Sequence, residues 1–290
     1  MSWIPIQTFP IEQDLAQIHH VLQSRGLVHR VIEYNGRQVL YVSEQYQDAA
    51  RQLLAMWQRG EHIDRNYASA AAVTVKPAMQ LRQTPVTLAL ILLSALGYVL
   101  VAIPELIHWQ LALMFVPMDL VQGQWLDVQS LSDTFERAQY WRLVTPAFVH
   151  FSILHLVFNS LWTWELGRRI ERLNGALFAM LFFLFAAFAA NISQYFWPSD
   201  AARFGGMSGV VYAYLGYIAV IHRLLPRPET SLPRGITAFM LAWLAICMTG
   251  IVDQAIEGGV ANGAHLGGLI AGVAIALLQA MFKRTHSERT

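Results

Sequence analysis

Ser208 sits in Gly206-Met207-Ser208-Gly209, at the head of an apolar segment that is short for a bilayer crossing. A hydroxyl flanked by glycines is a modest sign of a nucleophile in a soluble chain. Within an apolar segment it is a stronger one, because polar groups at membrane depth are costly and persist for function. Two further apolar segments carry His150, His155, Asn159 and His265. These are the side chains acyl transfer needs beside Ser208: an imidazole to take the hydroxyl proton, and donors for a developing oxyanion. Each also has a packing alternative. Ser208 between glycines suits close helix contact, and His265 lies among Gly263, Gly267, Gly268 and Gly272, a small-residue face. His150, His155 and Asn159 suit an interhelical hydrogen-bond cluster, and the three histidines suit a metal. The reading adopted has no metal and no cofactor.

Such residues need elements to position them, and composition states what kind. Hydrophobic residues are 55% of the 290-residue chain and charged residues 13%, with a mean hydropathy of +0.39, which is membrane composition. The net charge of +1 gives no reason to expect nucleic acid. The single cysteine, Cys247, excludes an intrachain disulfide. No basic stretch followed by an apolar run opens the chain, so no cleavable signal is expected. Six apolar runs follow, near Thr84–Pro104, Ala147–Trp164, Ala176–Trp197, Phe204–Ile221, Gly235–Val252 and Ala261–Phe282. Most approach the roughly 20 residues of a spanning helix, and the apolar stretch Trp109–Met118 is the one that would change the count.

Charge orients these segments. With the first running outward, Arg168, Arg169, Arg172, Arg223, Arg227, Arg234 and Lys283 fall inside, while only Arg137, Arg142 and Arg203 fall outside. Acidic residues such as Glu105, Asp119, Asp127, Asp133 and Asp253 occupy the outer loops. This is the positive-inside pattern with both termini cytoplasmic. At about 1.5 Å per helical residue, Ser208 stands about 22 Å above Arg223 and His265 about 27 Å above Lys283. On the same ruler His150, His155 and Asn159 stand about 27, 20 and 14 Å above Arg168. Three segments thus bring polar side chains to similar depth. Gly205-Gly206 is expected to break the fourth segment, so that its helix starts below the surface and turns free N–H groups toward the site.

Residues 1–65 read differently. Trp3–Phe9 suggests a strand, Ile11–Ser24 an amphipathic helix, Val28–Tyr34 and Arg37–Val42 a hairpin about Asn35-Gly36, and Gln45–Gln58 a second helix. This is a small α+β cytosolic domain, joined through a linker over 66–83. The loop at 105–146 is too long for a simple turn and holds Trp109, Trp125, Tyr140 and Trp141, which suit the headgroup level.

Taken together, Trp141-Arg142, His150-x4-His155-x3-Asn159, Gly206-Met207-Ser208-Gly209 and Ala264-His265-x2-Gly268 resemble the rhomboid intramembrane serine proteases, of the bacterial type with a soluble N-terminal domain. The resemblance covers about 84–282 by motif and order. It implies an all-α polytopic membrane protein, a six-helix bundle over 84–282 behind the α+β domain, with a short cytosolic tail at 283–290. It also implies a Ser208–His265 dyad, an oxyanion hole of His155, Asn159 and the Ser208 backbone N–H, and Tyr212 packed against the imidazole. His150, Gly206 and Gly209 would support the site, and Trp141 and Arg142 would anchor the outer loop. Glu171 matches an acidic residue at the inner end of the second segment, where a structural role is expected. Gln139 stands where some relatives have an acid that pairs with the arginine, which bears on the loop's internal bonding. The implied partners are single-pass transmembrane substrates and the bilayer of a bacterial inner membrane, with the site opening to the outer side. Substrate entry is expected past the fifth segment. The alternatives are an inactive client-binding relative and a proton-relaying transporter.

Overall fold

The computed structural model describes residues 2–60, 83–121, 124–198, 203–254 and 259–287. The chain forms two compact units, Met1–Arg82 with Pro226–Ser231 and Gln83–Leu225 with Leu232–Thr290. Nearly all of the expected linker at 66–83, and the end of the tail, lie outside the described residues.

In the first unit β1 (Trp3–Pro10), α1 (Ala16–Ser24), β2 (His29–Tyr34), β3 (Arg37–Ser43) and α2 (Gln47–Gln58) follow the expected order. The hairpin turns at Asn35 (φ 50°) and Gly36 (φ 70°), the pair of positive angles a two-residue type I′ turn requires. β3 is central and antiparallel to both neighbours. Its alternate residues Gln38, Leu40 and Val42 are buried, as a half-buried strand demands. Ile18 and Leu22 of α1 and Ala50, Leu53 and Leu54 of α2 join Phe9 in the core. The first helix begins five residues later than Ile11. Gln38 Nε2 donates to the Pro10 and Gln13 carbonyls (2.9 and 2.5 Å), holding those residues in a turn, and Asp14 Oδ1 accepts the Ala16 N–H (2.8 Å) at the helix start.

The second unit is helical. It begins with α3 (Pro85–Ala102) and α4 (Ile107–Ala112), a hairpin of β4 (Met118–Val121) and β5 (Gln124–Val128), and α5 (Leu131–Glu136). Then come α6 (Ile153–Trp162), α7 (Arg168–Asn174), α8 (Ala176–Tyr195), α9 (Ser208–Leu224), α10 (Arg234–Met248) and α11 (Asn262–Ser287). Among the described residues, α3, α8 and the stretch Asn262–Lys283 of α11 are long and apolar enough to cross a membrane by length and composition. α10 is apolar but shorter.

The second expected segment is displaced. A 3-10 turn over Thr145–Phe148 with Pro146 in its first turn delays the helix to Ile153, and Ser152 Oγ caps it by accepting the His155 N–H (3.2 Å). It continues through a π turn at Thr163–Gly167 into α7 and stops at Gly175, φ 87°. His150 therefore precedes the helix rather than riding on it.

α9 is buried on every side from Gly209 to Ile218, the signature of a central helix. α11 lies directly against it. A Cβ on Gly268 would stand 1.9 Å from the Gly209 carbonyl oxygen, and one on Gly272 would stand 1.8 Å from that of Ala213. Only glycine permits backbones this close. Midway along α9, three helices share a closed ring of hydrogen bonds. Asn174 Nδ2 donates to the Tyr217 hydroxyl (2.8 Å), Tyr217 donates to Gln279 Oε1, and Gln279 Nε2 donates to Asn174 Oδ1 (2.7 Å).

Candidate active site

The residues from Gly205 to Met207 precede the helix and are held by contacts with the segment Pro146–His150. Gly206 has φ 117°, a conformation open mainly to glycine, and its N–H donates to the Pro146 carbonyl (2.9 Å). A Cβ at Gly206 would lie 2.7 Å from His155 Nε2 and 3.7 Å from Asn159 Nδ2. The chain then turns and starts α9 at Ser208, so the Ser208 N–H belongs to the first helical turn, where no intrahelical acceptor exists.

Ser208 Oγ lies 2.7 Å from His265 Nε2 of α11. The serine is half-buried and the histidine buried. The Tyr212 ring, one turn along α9, lies 4.9 Å from the His265 ring at 44°. Its hydroxyl donates to the Met240 carbonyl (3.1 Å), which fixes the plane against which the imidazole rests. His265 Nδ1 is buried with no partner among the described residues. Among the described residues, packing against Tyr212 rather than a carboxylate orients this imidazole. The close backbone contact at Gly209 contributes too: a Cβ there would meet Ala190 Cβ at 2.6 Å and the Ala264 carbonyl at 3.0 Å.

His155 and Asn159 are four residues apart on α6 and share a face, which borders Gly206 on the side of Ser208. His150 is fully buried. Its Nδ1 is 3.0 Å from the Phe148 carbonyl, which assigns the proton there, so Nε2 accepts the Met207 N–H (3.4 Å). Its ring lies 4.9 Å from that of His155. His150 thus steadies the residue before Ser208 and backs His155.

Arg142 is buried and holds the outer loop. Its Nη1 donates to the Leu111 and Met114 carbonyls (2.7 and 3.0 Å), and Nε donates to Gln139 Oε1 (2.6 Å). The neutral amide of Gln139 fills the place expected of an acid. Trp141 Nε1 reaches the Ala112 carbonyl (3.0 Å). Glu171 is buried at the base of α3, where its carboxylate accepts the Val86 and Thr87 N–H groups and the Thr87 hydroxyl (2.9, 2.8 and 2.7 Å). It is a negative charge at a helix N-terminus, held there by the positive end of that helix.

Two contributors went unread in the sequence. Gln194 Oε1 accepts the Ala264 N–H (3.1 Å) beside His265, and Asn262 Nδ2 donates to the Cys247 carbonyl (3.0 Å), tying the start of α11 to the end of α10. The available signal was an amide side chain within or beside an apolar segment.

The arrangement is a nucleophile hydrogen-bonded to a base, with donors grouped around a helix start. It can carry out acyl transfer. The Rhomboid domain family model matches residues 137–282, and the Rhomboid N-terminal domain model matches residues 1–66. A Rhomboid protease GlpG of Yersinia pestis (strain Pestoides F) is 36% identical over 178 residues, covering 61% of this chain and 60% of that protein. One from Serratia proteamaculans (strain 568) is 36% identical over 157 residues, 54% of each. The chain thus spans about 60% of the length of the Yersinia relatives it matches.

Proposed function

This chain belongs to the rhomboid family, in its bacterial GlpG type, and from that premise we propose that it is an intramembrane serine endopeptidase. The observation that carries the reading is the 2.7 Å contact between Ser208 Oγ and His265 Nε2, at a helix start within an apolar unit. His265 Nε2 takes the Ser208 proton as Oγ attacks the scissile carbonyl carbon. The tetrahedral oxyanion is held by the Ser208 N–H, His155 and Asn159. Collapse expels the amine, which receives the proton from His265, and leaves an ester on Ser208. Water, deprotonated by the same imidazole, then hydrolyses the ester and restores the hydroxyl.

The substrates proposed are single-pass membrane proteins cut in or beside their transmembrane helix. A helix engages its own carbonyls, so the substrate segment must unwind before attack. α10 is the proposed side of entry, because it exposes Phe239, Leu241, Trp243 and Ile246 while Tyr212 and Asn262 hold it by single hydrogen bonds. Six crossings are proposed, with α6 and α7 counted as one and α9 as a short one. Both termini face the cytoplasm of a bacterial inner membrane, and the site opens outward.

The test is cleavage of a tagged single-pass substrate by purified protein in lipid, with Ser208→Ala and His265→Ala as variants. Cleavage by the parent and loss in both variants is expected. Activity that survives Ser208→Ala would refute the assignment. Folded but inactive parent protein that still captures the substrate would favour a client-binding role.

A further inference from the structure

A recess of about 320 Å³ opens in the outer loop, lined by His108, Leu111 and Ala112 of α4, Met118, Asp119 and Leu120 of the β4 strand, and Arg142. It lies apart from Ser208 and serves no step of the proposed cleavage. Its volume is at the lower end of those that hold small ligands.

The Arg142 guanidinium has five N–H groups. Three are committed, one from Nε to Gln139 and two from Nη1 to the Leu111 and Met114 carbonyls. Among the described residues no hydrogen bond leaves Nη2, and the residue as a whole is 6% exposed. Nη2 is not among the buried unpaired atoms, so its two N–H groups open onto the recess, where water or a ligand takes them. An anionic oxygen is the acceptor a guanidinium binds best. His108, on the same wall, adds a second donor.

Asp119 gives the recess an opposite charge. Its carboxylate lies 3.9 Å from Arg137 and is more than half exposed, so that pair is loose and leaves oxygen lone pairs free for another cation. The recess therefore presents an anion-binding wall and a cation-binding wall around the apolar floor of Leu111, Met118 and Leu120. Trp109 and Trp141 adjoin the lining residues His108 and Arg142 in the chain, and both are about half exposed or more, as suits residues at the headgroup level of a bilayer.

We propose that this recess binds the zwitterionic headgroup of phosphatidylethanolamine, with the phosphate on Arg142 Nη2 and His108 and the ammonium on Asp119. The lipid in the leaflet beside the outer loop, rather than a soluble ligand, is the occupant. The bound headgroup completes the hydrogen bonding of the residue that anchors the loop.

The experiment uses the full chain in detergent and an equimolar mixture of phosphatidylethanolamine, phosphatidylglycerol and phosphatidylcholine. Lipid retention is read by native mass spectrometry for the parent, Asp119→Asn and His108→Gln. Folding is checked by the thermal midpoint. The parent is expected to retain phosphatidylethanolamine about fivefold over either other lipid, as a charge-assisted contact of ordinary strength would give. Asp119→Asn should abolish the preference over phosphatidylcholine, since the primary ammonium then has no carboxylate. His108→Gln should weaken retention of all three. Soluble glycerophosphoethanolamine should displace the lipid only at millimolar concentration. Displacement at micromolar concentration would make the occupant a soluble phosphodiester and overturn the lipid assignment. Equal retention of the three lipids by the parent, or preference for phosphatidylglycerol, would overturn the zwitterion. Loss of folding in Asp119→Asn would shift the decision to the parent's own preference and to His108→Gln.

Discussion

At the scale of single residues, the side chains proposed to do chemistry are readable by type and spacing, while their supports are not. Ser208, His265, His155 and Asn159 are polar groups in apolar runs, where any such residue draws notice. His150 belongs to the same cluster, but its task is set by a carbonyl two residues away and by the Met207 N–H across a fold contact. Gln194 was invisible because nothing in its spacing points to Ala264, seventy residues on. If Asn159 is a donor to the oxyanion, Asn159→Ala should lower kcat by about 10²-fold to 10³-fold with little change in KM. Steady-state cleavage in lipid measures this. Gly206→Ala should reduce cleavage at least about tenfold by a different route, because the φ of 117° strains any L side chain and the new Cβ strikes the His155 imidazole. Its thermal midpoint should fall as well, by several degrees, because backbone strain of this kind costs about 1–3 kcal/mol.

At the scale of elements, the apolar runs located the helices, and local chemistry set their ends. Pro85 opens α3 and Gly175 ends α7, whereas α6 starts six residues after the apolar run at Ala147 does, because hydropathy does not register a 3-10 turn. The fit between α9 and α11 was legible only as a small-residue face. That Gly272 meets the Ala213 carbonyl is a matter of rotation between helices, which composition does not encode. Gly272→Ala should therefore separate two backbones, and a fall of several degrees in the thermal midpoint is expected, with cleavage falling alongside it because Ser208 and His265 sit on those helices. Glu171→Gln should destabilise by about 1–3 kcal/mol, since one of the two oxygens that receive the α3 N–H groups becomes a donor facing donors. Thermal denaturation in detergent checks both, and Glu171→Gln should leave kcat of the surviving folded enzyme near the parent's.

At the scale of the whole molecule, two units with different solvents carry different liabilities. In the N-terminal unit, His29 Nε2 lies 2.8 Å from His19 Nδ1, and His29 Nδ1 lies 2.7 Å from the Leu27 carbonyl. Burial, outweighing that carbonyl and joined by the neighbouring His19, holds the His29 pKa below its ordinary 6.5. The folded unit thus prefers neutral His29, and below about pH 6.5 the unfolded chain binds more protons. Its stability should fall as pH drops from 7 to 5, and His29→Gln should flatten that slope in a pH series of hydrogen exchange over residues 2–60. On the proposed orientation, a fluorescent protein fused after Thr290 should fluoresce, because that terminus would face the cytoplasm. A dark fusion at normal expression would overturn the orientation. The sequence by itself determined the membrane class, the order of elements in the N-terminal unit, the hairpin at Asn35-Gly36 and the polar residues available for chemistry, because hydropathy, turn propensity and side-chain type are local properties. Tertiary structure decided which of those residues meet: the 2.7 Å Ser208–His265 contact, the Asn174–Tyr217–Gln279 ring and the idle donors of Arg142. Those depend on how close two helices approach and how they are rotated, and these are set by packing among residues far apart in the chain.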